Sequence, residues 1–216
     1  NIRYKSFRKN NVNLLELTIQ TKTEMEITKY SKIYRIIHWA IAITFALLLI
    51  TIFLRLTWLN KNNVAAIIQN YLSDTNLSLT QDQLITLAKK IRQPMWSWHI
   101  YFGYILTGLF STRFLLPMFG HMKFQNPFGK NLSIKEKFQK WTYIIFYLCV
   151  IVSLTTGLII AFGPTELKKP MEEIHVLGIY YLIGYILLHL TGTFIAEFTD
   201  QKGIISKIVS GSKTED

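Results

Sequence analysis

The chain has 216 residues, half of them hydrophobic and 17% charged, with 24 Lys and Arg against 13 Asp and Glu and a formal net charge of +11. Its apolar residues gather in long blocks, which excludes an ordinary soluble domain, and its basic excess flanks those blocks, which points to anionic lipid and not to nucleic acid. One cysteine, Cys149, excludes an intramolecular disulfide and any multi-cysteine metal site.

Residues 1–33 form a mixed, basic tail carrying Arg3, Lys5, Arg8, Lys9, Lys22, Lys29 and Lys32. A short interfacial helix is expected in it around residues 13–19, and no cleavable leader is expected, because the first long apolar run starts near residue 36. That run, IIHWAIAITFALLLITIFLRL, is the first span, residues 36–56. At about 1.5 Å per residue it covers a hydrocarbon core of roughly 30 Å.

The connection 59–98 holds VAAIIQNYL and LTQDQLITLAKKIRQP, which predict one or two short surface helices. Thr80 with Gln83 has capping-box spacing, and Pro94 reads as a stop. The second span covers 99–118, and the connection after it holds Lys123, Lys130, Lys135, Lys137 and Lys140 against Glu136 alone. The third span covers 141–162. The next connection mixes Lys168 and Lys169 with Glu166, Glu172 and Glu173, and the fourth span covers about 175–195. Residues 199–216 form a tail with Lys202, Lys207 and Lys213.

The predicted fold is therefore an all-α membrane protein, a four-transmembrane-helix bundle over 34–198 with short interfacial helices in the tail and outer loop. Lys and Arg favour the tails and the second connection, so both termini are expected on the cytoplasmic side of a bacterial inner membrane.

Five histidines occur, and four of them, His38, His99, His175 and His189, lie in or at the edge of the spans. An ionisable group in a membrane is costly and normally faces a partner in the bundle interior. For any one histidine an interhelical hydrogen bond is the ordinary role; the set reads differently. His175 and His189 are fourteen residues apart, which brings a helix to within about 40° of four full turns and separates them by about 21 Å along its axis. With the first helix rising outward, depth pairs His38 with His189 near the inner face and His99 with His175 near the outer face.

A lone pair of imidazoles under-coordinates a bare metal, whereas an iron with four porphyrin ligands needs only two axial ones. Two haems, one per pair, would fit between the helices of a bundle. Gly103, Gly108, Gly157, Gly178 and Gly184 would line such a slot, although close helix packing needs glycine equally. Arg35 and Arg113 sit at inner depth, where haem propionates or a quinone would want cations, and Arg55 and Arg92 sit at outer depth. His121 lies where a quinone head could bind.

Four motifs in order carry a family resemblance: RIIHWAIA at 35–42, the run from His99 through Gly103 to Arg113, TTGLII at 155–160, and the His175–His189 pair followed by FTDQKGIISKIVSG. In these the chain resembles, over about 34–211, the bacterial cytochrome b561 superfamily of four-helix dihaem proteins. These include the cytochrome b subunits of nickel–iron hydrogenases and formate dehydrogenases. The resemblance implies two haems b, one held by His38 and His189 and the other by His99 and His175. It also implies electron exchange with quinone or quinol and with a redox protein partner, such as dehydrogenase or hydrogenase subunits; a homodimer is a further arrangement open to it. The chain departs from the family pattern in its long outer connection and its extra tail. The competing function is a haem-free membrane anchor that recruits a soluble partner through its basic cytoplasmic face, which leaves four depth-matched histidines without a role.

Overall fold

A computed structural model describes residues 32–75, 77–119, 124, 126–129, 132–199 and 202–211. The tail helix expected at 13–19, and His121, lie outside the described residues. Four helical stretches, Lys32–Leu56, Gln81–Phe119, Ile134–Phe162 and Thr165–Phe198, are long and apolar enough to cross a membrane. In chain order the described helices are α1 (Lys32–Leu56), α2 (Lys61–Ser73), α3 (Gln81–Leu115, running into a 3₁₀ turn at Leu116–Phe119), α4 (Ile134–Phe162), α5 (Thr165–Val176), α6 (Gly178–Phe198) and α7 (Ile204–Val209).

Local chemistry sets the starts. Asn60 caps α2 by accepting from the Asn62 N–H. Thr80 and Gln83 complete the expected capping box at α3. Ser133 and Glu136 form a second one at α4. Inside the spans, hydroxyl groups donate back to their own helix, as from Thr44 to Ala40 O (2.7 Å) and from Thr107 to Gly103 O (2.9 Å). This satisfies a polar group where no water is available.

Two expectations need correction. Pro94 does not stop a helix: α3 runs through it for 35 residues. The proline removes one backbone donor and costs a helix interior about 3 kcal/mol. The segment before it is held against α2 by a small core of Val64, Ala65, Leu84 and Ala88, so the outer connection is one short helix laid against an extension of the second span. The polar stretch after the third span, read as a connection, is helical too: it forms α5, and the helical stretch that carries the fourth span begins at Thr165. α5 and α6 meet at Leu177, where the bonds Leu177 N–H to Ile174 O (3.2 Å) and Tyr180 N–H to Leu177 O (3.1 Å) tighten the turn. His175 and His189 therefore belong to two helical segments joined by a 3₁₀-like turn, where a single uniform helix was expected.

α1 lies along α3, and α4 lies along α5 and α6, giving two helical hairpins. They meet at mid-height through one core: Phe45 and Leu48 of α1, Leu106 and Phe110 of α3, Phe146 and Val150 of α4, and Leu182 of α6. Phe146 and Tyr185 stack face to face at 3.6 Å within it. The opposite faces are apolar and open, as with Ile36, Ile43, Ile50 and Phe53 along α1. Contiguous exposed apolar surface of that kind is what a hydrocarbon solvent covers. Past the fourth span, Gly203 in the left-handed region (φ 81°) turns the chain into α7. Its N–H and that of Ile205 donate to the Glu197 carboxylate at 2.8 and 3.0 Å.

Candidate functional site

The four span histidines come together in two pairs. His38 of α1 faces His189 of α6 with ring centroids 6.1 Å apart and planes inclined at 48°. His99 of α3 faces His175 of α5 with centroids 6.4 Å apart and planes at 89°. All four side chains are partly buried. The central core separates the pairs, and both join the first hairpin to the fourth span.

Their surroundings differ. The first pair is held by rings: Tyr34 is parallel to His38 at 6.1 Å and Trp39 meets it edge-on at 5.9 Å, while Tyr185 stacks on His189 at 5.6 Å and Tyr143 lies at 6.4 Å. Among the described residues neither His38 nor His189 has a hydrogen bond to a ring nitrogen. The second pair is held by hydrogen bonds as well. Thr51 Oγ1 lies 2.8 Å from His99 Nδ1, and His175 Nδ1 lies 3.0 Å from Ser153 O and 3.1 Å from Thr156 Oγ1. Trp96, one turn before His99, stacks on it at 4.6 Å with planes 3° apart, and the Arg55 guanidinium caps the indole at 4.4 Å.

The donor set decides what the pairs can hold. Among the described residues no three His, Cys, Asp or Glu side chains converge on one point, so the protein offers a metal two imidazoles per pair and no more. A metal whose remaining ligands arrive with it is the chemistry that matches. The spacing agrees: two collinear metal–nitrogen bonds of about 2 Å plus two ring half-widths of about 1 Å require centroids about 6 Å apart. The residues present fit haem.

The other sequence candidates are placed less uniformly. Arg35, one turn before His38, donates from Nη1 to Val209 O at 3.3 Å, and Trp39 Nε1 donates to Ile208 O at 3.3 Å, so both cap the C-terminus of α7. The Arg35 Nε is buried without a hydrogen-bond partner among the described residues. Arg113 is buried, with its guanidinium over the rings of Phe124 (4.7 Å) and Tyr147 (5.6 Å). Gly103 is one turn after His99, and a Cβ there would meet nothing within 4 Å. Gly108 and Gly184 are similarly open. Close packing does account for Gly157, where a Cβ would lie 3.1 Å from His175 Cε1, and for Gly178, where it would lie 2.9 Å from Ser153 Oγ.

Thr51, Ser153, Thr156, Trp96 and Tyr185 are site neighbours that the reading of histidines alone did not select. Thr156 and Gly157 stand within the TTGLII motif, and a hydroxyl in an otherwise apolar block, as at Thr51, was a usable signal.

A family model described as prokaryotic cytochrome b561 matches residues 29–211. No curated protein and no solved structure matches the chain.

Proposed function

The chain belongs to the prokaryotic cytochrome b561 family, whose identity implies haem-mediated electron transfer, and on that premise we propose that it carries electrons across the membrane through two bis-histidine b haems. His38 and His189 would hold one and His99 and His175 the other. The observation that carries this reading is the pair of cross-hairpin imidazole couples, each spaced at 6.1–6.4 Å between centroids.

Haem b would supply reversible one-electron chemistry when bound. The residues of the chain supply placement, ligation and electrostatics. The buried Arg35 Nε, without a hydrogen-bond partner among the described residues, is a donor suited to a propionate carboxylate. Arg113 would serve as a buried cation near the same end of the bundle, for a propionate or for a quinone head. Gly103 leaves room next to His99 for the edge of a flat ring system. The role that fits the family is that of an electron-transfer protein or of the cytochrome subunit of a quinone-linked oxidoreductase. Electrons would pass between the quinone pool and a redox partner.

We place the bundle, residues 34–198, in the bacterial inner membrane with the tails 1–33 and 199–216 cytoplasmic, following the distribution of Lys and Arg. The first pair then lies at the inner face and the second at the outer face. The test is a pyridine haemochrome assay on protein purified from fully haem-loaded membranes. Two non-covalent b haems per chain are expected. Less than one per chain refutes the reading and leaves the haem-free anchor.

A further inference from the structure

The second histidine pair has hydrogen-bond geometry that selects between its tautomers. Thr51 Oγ1 is 2.6 Å from Leu48 O and 2.8 Å from His99 Nδ1. A carbonyl can only accept, and a hydroxyl has one proton, so that proton goes to Leu48 O. The Thr51 oxygen is then an acceptor toward the ring, and His99 Nδ1 must carry hydrogen. The same deduction holds across the site. Ser153 O accepts from His175 Nδ1, and Thr156 Oγ1, already donating to Val152 O at 2.8 Å, can accept from it as well. Both rings are thus Nδ1–H tautomers with the Nε2 lone pair free, the form that ligates a metal through Nε2.

We propose that Thr51 is a positioning residue for the second site: its hydroxyl fixes the tautomer and ring orientation of His99 and raises the basicity of its ligating nitrogen. This rests on the haem reading above, and it is specific to one of the two centres. Thr51 is 5% exposed, so no water competes for its oxygen. It reaches His99 from the neighbouring helix, which makes it a contact between α1 and α3 and not a local feature of the helix that carries the ligand. His38 and His189 have no counterpart among the described residues. A more basic imidazole favours the oxidised iron, so Thr51 holds the potential of its centre down. The Arg55 charge stacked over Trp96 acts in the opposite direction, but it is the same in wild type and variant and cancels in the comparison.

The experiment compares wild type, Thr51→Val and Thr51→Ser as intact purified cytochromes, each with a haemochrome assay and a redox titration followed by low-temperature spectra. Valine keeps the shape and removes the hydroxyl; serine keeps the hydroxyl. In Thr51→Val the centre that is also disturbed by His99→Ala should shift to higher potential or lose about 10-fold in haem affinity, the usual effect of removing such a partner. The other centre should be unchanged, which shows that the bundle is folded, and Thr51→Ser should resemble wild type. Unchanged centres in Thr51→Val overturn the proposal, as do equal shifts of both centres or a serine variant that behaves like valine. Wild type without haem would instead overturn the haem reading itself, so the two failures are distinguishable.

Discussion

If His175 holds a haem as proposed, replacing Gly157 with alanine should damage that site while leaving the fold almost untouched. The added Cβ would lie 3.1 Å from His175 Cε1, about 0.4 Å inside the optimal carbon–carbon separation of about 3.5 Å. The ring is not free to retreat, because Nδ1 is tethered to Ser153 O at 3.0 Å and to Thr156 Oγ1 at 3.1 Å. Giving way by about 0.4 Å would stretch both tethers to about 3.4–3.5 Å, the limit of a useful hydrogen bond. Overpacking of this kind costs about 1–3 kcal/mol, and alanine recovers about 1 kcal/mol of helix propensity over glycine. The net destabilisation is then about 0–2 kcal/mol, or no more than about 8 °C in the unfolding midpoint for a chain of this length. A displaced axial ligand is a larger disturbance for the cofactor than for the fold. Haemochrome content, low-temperature spectra and redox titration of Gly157→Ala should show one centre altered or depleted and the other intact. If both centres keep wild-type occupancy, spectra and potentials, His175 is not constrained as described.

His38→Ala and His189→Ala should disturb the same centre, and His99→Ala and His175→Ala the other; redox titration resolves the two, and the pairing fails if His38→Ala and His99→Ala remove one and the same. Reporter fusions after Lys130 and after Ser212 should read cytoplasmic and one near Ser73 exterior. A cytoplasmic reading at Ser73 reverses which pair is called inner.

Much of the architecture was legible because hydrocarbon is an undemanding reader of sequence: runs of about 20 apolar residues must be helices, since their backbone polar groups have no other partners. Thr80 and Gln83 announced the start of α3 because a cap is a local event. Pro94 misled for the complementary reason. Its helix-breaking effect is local, while the packing that outweighs it comes from α2, more than twenty residues away in sequence. The turn at Leu177 left no mark either, as no proline or glycine occupies that position and Gly178 follows it inside α6. The two histidine couples followed from depth alone. What depth could not supply was the support around them, because a hydrogen bond from Thr51 to His99 crosses between helices at a point that only their packing sets. Arg35 shows the same limit: its depth was readable, but its contact with the carbonyl end of α7 depends on where the chain returns after Gly203.

Both couples cross the same divide, and that bears on how the sites should behave when one is removed. His38 and His99 stand on one hairpin, and His189 and His175 on the fourth span of the other. Between them Phe45, Phe110, Phe146 and Leu182 already join the hairpins without any cofactor. With haems held as proposed, the bundle would be fastened at three heights, of which the middle one is made by protein packing alone. Removing one histidine at one end would leave the aromatic core and the opposite pair in place. Single histidine variants should for that reason lose one centre and not the fold, whereas disrupting the shared core, for example at Phe146 where it stacks on Tyr185, should weaken both centres together.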